Sequence, residues 1–159
     1  MRKFLVKCAE SYLNSKIIAN WRIENYQQAR QTRKLFEHLN ISIVLDIGAN
    51  EGQYADFLRH DVGFDGIIIS FEPARQPFEI LKGKSENDPR WASIRVALGA
   101  ESGRQAFNIM KGSQYNSLLV PEEYNDFTHK NSIVDQEIVE IETLNDLWFK
   151  LQEEYNLSS

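Results

Sequence analysis

Cysteine is almost absent from this chain: Cys8 stands alone among 159 residues. A single thiol forms no intrachain disulfide and no cysteine cluster for a metal, so neither organises the fold. Histidine is nearly as scarce. His38, His60 and His129 are the three present, and none stands at metal-ligand spacing from cysteine, histidine or paired carboxylates, so no metal site is expected. Long apolar runs are missing too, which excludes a membrane helix of about 20 residues. The opening Met1-Arg-Lys-Phe-Leu-Val-Lys-Cys8 has a charged tip, but its apolar run is too short for a secretory signal. A lone cysteine and no leader point to a cytoplasmic protein. No internal repeat or low-complexity tract is visible.

Enough apolar material remains to fold. Leu, Ile, Val and Phe make up 45 of the 159 residues, which excludes overall disorder. The net charge of −5 is unevenly spread. Residues 1–40 carry eight basic and three acidic side chains, whereas from Val120 onward there are two basic and ten acidic. The basic residues are scattered rather than run together. They read as a solvated or packing surface, not as an arm for nucleic acid or anionic lipid. The acidic body and the lack of a basic, aromatic stripe argue against nucleic acid as a partner.

Residues 2–13 and 15–39 contain neither glycine nor proline. Leu13, Ile17 and Trp21 recur every four residues, and Leu35, Phe36 and Leu39 continue on a similar face, the stripe of an amphipathic helix. Asn40 is its expected stop. The pattern then changes. Ile43–Ile47, Ile67–Phe71 and Trp91–Leu98 are short apolar runs, separated by helical stretches with Tyr54, Phe57 and Leu58 in the first and Phe78, Ile80 and Leu81 in the second. Strands apolar on both faces, alternating with helices of about ten residues, predict an α/β fold with a parallel sheet. Gln105–Met110 and Glu137–Ile141 have strand character, with a long polar loop from Gly112 to Asn131 between them. A closing helix is expected over Thr143–Tyr155, with Thr143 as N-cap and Asp146 where a capping box would place Glu or Gln.

Chemistry concentrates at the ends of these strands. Asp46-Ile-Gly48-Ala-Asn50-Glu-Gly52 is a glycine-containing strand-to-helix turn, and in open α/β sheets ligands bind beyond the carboxyl ends of strands. Gly48 allows a sharp turn where a Cβ would obstruct a ligand, and Gly52 allows close packing of the helix start. Asp46 can hold the loop or attract a cation. Glu72, followed by Pro73, ends the second strand, and a carboxylate there has acceptors for ribose hydroxyls. Ala97 and Leu98 end the third strand, where small apolar residues leave room for a flat ring. A glycine turn after one strand and an acid after the next is the arrangement of an adenosine site. A dinucleotide site favours G-x-G-x-x-G, because the second glycine admits a pyrophosphate. Asn50 occupies that position, so a nicotinamide-dependent oxidoreductase is the weaker reading. S-adenosylmethionine has no pyrophosphate, and the acidic Asp46 and Glu72 suit its positive charge.

These residues resemble a known family. Val44-Leu-Asp46-Ile-Gly48-Ala-Asn50-Glu-Gly52, Ile69-Ser-Phe71-Glu72-Pro73 and Ala97-Leu98-Gly99 are similar to motifs of the FkbM family of S-adenosylmethionine-dependent methyltransferases. Trp91, Asn116-Ser117-Leu118-Leu119 and Val139-Glu-Ile-Glu-Thr143-Leu-Asn-Asp146 extend the likeness across about Ile43 to Leu147. The resemblance implies a Rossmann-like class I methyltransferase sheet and methylation of a hydroxyl on a sugar or natural product. It places Asp46, Gly48, Asn50 and Glu72 at the cofactor, together with Gly52, Pro73, Ala97 and Leu98. Ser117 and its loop would lie near a small-molecule or glycan acceptor. His129, in the same loop, is the strongest of the three histidines for a role there, and the catalytic base is not identified.

The family pattern continues with a fourth strand of the type Leu-Lys-Ile-Asp-x-Gln-Gly, which this sequence does not contain. The expectation is a helical segment over residues 1–40 and a partial Rossmann-like domain over 41–159, truncated before strand four. Ile43–Ile47 would then be an edge strand, which invites pairing with a second copy or cover by an N-terminal helix. A homo-oligomer is expected on that ground. A chain of this kind is either a methyltransferase short of part of its sheet, or a non-catalytic relic or assembly module.

Overall fold

The three apolar runs form a sheet because their alternating side chains can be covered on both faces. In the computed structural model, which describes residues 25–119 and 132–155, β1 (Ile43–Ile47), β2 (Ile67–Phe71) and β3 (Trp91–Ile94) lie parallel in the order β1-β2-β3. Register sets Asp46 opposite Ser70 and Ile47 opposite Phe71, so the carboxyl ends of β1 and β2 are level. β1 and β3 are the outer strands of this sheet.

The described residues divide into two compact units. One comprises residues 25–42 and 56–65. Helix α1, residues 25–38, stops as expected at Asn40, which takes a left-handed φ of 52° while the Ile41 amide donates back to the Phe36 carbonyl. Its buried face differs from the expected stripe. Ala29 is buried and Phe36 half-buried, but Leu35 and Leu39 are 53% and 55% exposed. Phe36 meets Phe64 edge-to-face at 5.2 Å, and Arg33 donates to the carbonyls of Asp61 and Val62. Leu13, Ile17 and Trp21 lie outside the described residues.

Residues 43–55, 66–119 and 132–155 form the other unit. The short helix α2 (Gln53–Phe57) leaves the glycine turn of this unit, and the chain continues in the first unit as a π-helical turn, Leu58–Val62, closed by left-handed Gly63. Across this stretch Ala55, Leu58 and Val62 are buried, whereas Tyr54 is exposed. α3 (Arg75–Ser85) buries Pro77, Leu81 and Ser85, a four-residue repeat, and leaves Ile80 exposed.

The expected third strand is in fact two. Arg95 forms a tight turn, with the Val96 amide donating to the Ile94 carbonyl at 3.1 Å, an i→i+2 bond that re-aims the chain. Beyond this turn β4 (Ala97–Leu98) belongs to a second three-stranded sheet. There β5 (Gly103–Met110) and β6 (Ile133–Glu142) pair antiparallel with a bulge at Ile109/Met110, and β4 joins β6 parallel. Both long strands extend beyond the expected runs, because cross-strand pairing carries polar residues such as Arg104 and Gln136 into the ladder; Arg104 there forms a 2.8 Å ion pair with Glu140.

The closing helix, α4 (Leu144–Glu154), buries Leu147 and Leu151 against Ile69, Phe71 and Val96. Thr143 caps it, accepting the Asp146 amide at 3.1 Å. The missing Glu or Gln of the capping box is made good by Ser102, whose hydroxyl accepts the Thr143 amide at 3.3 Å. Ala74 packs with Ala97, Phe107 and Val139 of the second sheet in a second buried cluster. No helix among the described residues is long and apolar enough to cross a membrane.

Candidate functional site

The turn after β1 takes its shape from three left-handed residues: Gly48 at φ 77°, Asn50 at 49° and Gly52 at 84°. The amides of Gly48 and Ala49 both donate to the Phe71 carbonyl, at 2.9 and 3.0 Å, so the loop is anchored to the end of β2. The two glycines are needed for different reasons. At Gly52 an added Cβ would sit 2.9 Å from the Trp91 ring and 3.0 Å from Leu81, which is the close packing expected there. At Gly48 a Cβ would meet nothing within 4 Å. The anticipated obstruction at Gly48 is therefore not with protein atoms; the positive φ demands glycine, and the space beside it is open.

That space is a cavity of about 340 Å³. Of the candidate residues, Gly48, Asn50, Glu72, Pro73, Ala97, Leu98 and Ser117 line it. Asp46 and Gly52 lie behind this wall and do not line it, and His129 falls outside the described residues. Asn116, from the segment Asn116-Ser117-Leu118-Leu119, also contributes to the lining, as do Phe107 and Gln114, which the motifs of the sequence do not single out. Alternation along β5 is the faint signal for Phe107. Gln114 and Asn116 arrive through a loop whose path is set by long-range bonds.

Those bonds belong mainly to Asn108, which is buried. Its amide bonds the Leu119 carbonyl at 3.0 Å and accepts from Gln136 at 2.7 Å, while its backbone pairs with Ser117. Asn116 accepts the Met110 amide at 2.8 Å. The start of the long loop is thus held along β5, beside a short 3-10 turn at Ser113–Tyr115.

Glu72 is the electrostatic centre of the cavity. It is 5% exposed, and each of its oxygens accepts one backbone amide: Oε2 from Asn50 at 2.8 Å, Oε1 from Ala74 at 2.9 Å. Burial raises its pKa above the ordinary carboxylate range. The two amide bonds oppose that rise, and the charges of Glu137 and Asp46 add to it. Asp46 is buried in turn. Desolvation raises its pKa, and the Ser70 hydroxyl, donating at 3.1 Å, partly offsets this. The Ser70 oxygen also accepts the Trp91 indole N–H at 3.0 Å, so a bonded chain crosses β3, β2 and β1 beneath the turn. Two carboxylates short of solvent favour a ligand carrying positive charge or hydroxyl donors and oppose an anion.

One polar atom in this region has no partner. The Asn50 Oδ1 is buried and unbonded. A larger cavity of about 680 Å³, lined by Arg75, Glu79, Lys111, Asp135 and Glu137 among others, shares Ser113 and Asn116 with the first. It takes Glu51 from the glycine turn but neither glycine, and it lacks the carboxylate fixed by paired amides. Of the other histidines, His60 is near the Asp56 carbonyl at 2.9 Å, and neither it nor His38 lines either cavity. Among the described residues no group of three His, Cys, Asp or Glu side chains is arranged to hold a metal.

No protein-family profile matches the chain, and no curated protein matches it. Among solved structures it is similar to the methyltransferase FkbM from Methylobacillus flagellatus KT, at 12% identity and a TM-score of 0.40. The likeness covers 66% of this chain but 22% of that protein's length.

Proposed function

We propose that this chain is a cofactor-binding unit of the S-adenosylmethionine-dependent methyltransferase type, with the adenosyl group held in the smaller cavity. Glu72 carries the reading: a carboxylate almost out of water, fixed by two backbone amides at the end of β2, on the wall of a cavity beside a glycine turn. A structural cap alone does not require a cavity in front of it. The orphaned Asn50 Oδ1 and the open space at Gly48 fit a ligand with hydroxyl donors.

S-adenosylmethionine supplies an activated methyl group on a sulfonium cation. The residues of this chain bind and orient. Glu72 accepts from the ribose, Ala97 and Leu98 offer a small apolar wall for the base, and the missing side chain at Gly48 lets the ligand approach the end of β1. Asp46 adds negative potential from behind the turn. Ser117, its oxygen already bonded to the Leu119 amide at 3.0 Å, lies across the cavity. A hydroxyl of a sugar or natural product is the acceptor class in this reading. Transfer to it requires a base, and no described histidine lines the cavity.

The competing reading is a methyltransferase-like assembly module that does not turn over, and behind it a nicotinamide-binding fragment. Calorimetric titration of the purified chain with S-adenosylmethionine, S-adenosylhomocysteine and NAD separates the three. Saturable binding of either adenosyl ligand, weakened in Glu72→Ala and Glu72→Gln, supports the proposal. A folded chain that binds neither points to the assembly module, and NAD binding alone overturns the methyltransferase reading.

A further inference from the structure

We propose that Asn50 is the second acceptor for a ribose diol: its side-chain oxygen takes one hydroxyl and Glu72 the other. The cavity thereby selects a free cis-diol and rejects ligands in which either oxygen is missing or phosphorylated. This rests on the adenosyl reading above and adds to it the residue that sets sugar specificity.

Four observations converge. Asn50 Oδ1 is, among the described residues, the buried side-chain polar atom without a partner. Buried acceptors are nearly always bonded, and one that is not calls for an explanation. Its backbone is left-handed, φ 49°, in a turn whose other left-handed positions are glycines. Glycine would serve that conformation without an unsatisfied amide, so retention of a side chain there points to a use for it. The Asn50 amide nitrogen donates to Glu72 Oε2 at 2.8 Å, which sets the residue beside the carboxylate on the same cavity wall. Each Glu72 oxygen already holds one backbone amide, so part of its acceptor capacity is used.

A vicinal diol presents two adjacent O–H donors, which complements a carboxylate beside an amide oxygen. The Asn50 oxygen is shut off from bulk water in the ligand-free fold. A hydroxyl seated in the cavity meets it by rotation of the amide about χ2, a soft torsion. A phosphate in place of the hydroxyl brings only acceptors and negative charge against Asn50, Glu72 and Asp46, and is repelled.

The experiment is calorimetry on the full chain with adenosine, 2′-deoxyadenosine and 3′-deoxyadenosine, for wild type, Asn50→Gly and Asn50→Asp, with urea unfolding of each. Wild type should bind adenosine more tightly than either deoxy analogue. Asn50→Gly should weaken adenosine by about 5- to 10-fold, the worth of one hydrogen bond, and abolish discrimination against one of the two analogues. Its urea midpoint should stay level or rise, since glycine suits the backbone and removes the orphan. Asn50→Asp, which offers an oxygen in either orientation, should keep the discrimination. The inference is overturned if Asn50→Gly leaves the adenosine-to-deoxyadenosine ratios unchanged, if its urea midpoint falls, or if Asn50→Asp loses the discrimination. Wild type that binds no adenosine removes the adenosyl reading as well. Wild type that binds adenosine, with ratios unchanged in Asn50→Gly, removes this inference alone.

Discussion

Gly48 and Gly52 lie four residues apart in one turn, both with positive φ, and substitution by alanine should separate their roles. At either site alanine in the left-handed region costs about 1–2 kcal/mol. Gly48→Ala adds little more, because its Cβ meets nothing within 4 Å. Gly52→Ala places a Cβ 2.9 Å from Trp91 Cζ2 and 3.0 Å from both Trp91 Cη2 and Leu81 Cδ1. Those neighbours are buried and hold their places, Trp91 by its indole bond to Ser70 and Leu81 within α3. Overpacking of this kind costs about 1–3 kcal/mol, so Gly52→Ala should lose about 2–5 kcal/mol in all. Urea unfolding followed by circular dichroism measures both. The ligand response should invert the order. Gly48→Ala places a methyl in the cavity and should impair adenosyl binding despite its smaller effect on stability. The clash at Gly52 should also be partly relieved by Trp91→Phe, which deletes the outer ring atoms, so the double variant should lose less than the sum of its parts. A Gly48→Ala variant as unstable as Gly52→Ala, or strict additivity with Trp91→Phe, would refute this account of the turn.

The same geometry sets other expectations. Ser70→Ala should destabilise by about 1–3 kcal/mol in urea, because it leaves the Trp91 indole N–H and an Asp46 oxygen without partners; a neutral result would deny the bonded chain across the sheet. Burial raises the Asp46 pKa, so its contribution to stability is full in acid and is lost as pH rises through the raised value. Asp46→Asn keeps an oxygen for Ser70 and removes the buried charge. It should therefore gain on wild type in urea near neutral pH and lose that advantage as the wild-type carboxyl protonates; a pH-independent difference would count against desolvation as the cause. Thr143→Ala should cost about 1 kcal/mol through the lost cap of α4, with Thr143→Ser close to wild type.

Much of the fold was legible along the chain because local patterns govern it. β1 and β2 fall on the residues where apolar runs end in glycine or in Glu72-Pro73, since burial on both faces leaves no other use for such runs. The stop at Asn40 and the cap at Thr143 were readable because capping is decided by a few neighbouring residues. The break at Arg95 was not, because Trp91–Leu98 is apolar at both ends. What divides it is the tight turn, with Arg95 reaching the Pro73 carbonyl at 3.4 Å and Glu137 at 3.5 Å, partners far off in sequence. Leu35 and Leu39 showed the complementary error: a helical stripe states which residues share a face, not which face the rest of the protein covers.

At the site, the sequence by itself settled the kinds of residue: a glycine turn, an acid at the end of the next strand, small apolar residues on a third. It assigned Gly48 to ligand approach and Gly52 to close packing, but could not name Trp91 and Leu81 as the side chains that crowd Gly52, since both lie far along the chain. Nor could it show that Asp46 stands behind the wall while Glu72 forms it, or that Asn50 keeps an oxygen unpaired. Those distinctions depend on the level register of β1 and β2 and on β5 bringing residues 107–118 over the turn. Periodicity and turn chemistry act over a few residues and are written in order along the chain. A cavity is the space left between elements that meet from far apart, and its polarity and its unsatisfied groups exist only once they have met.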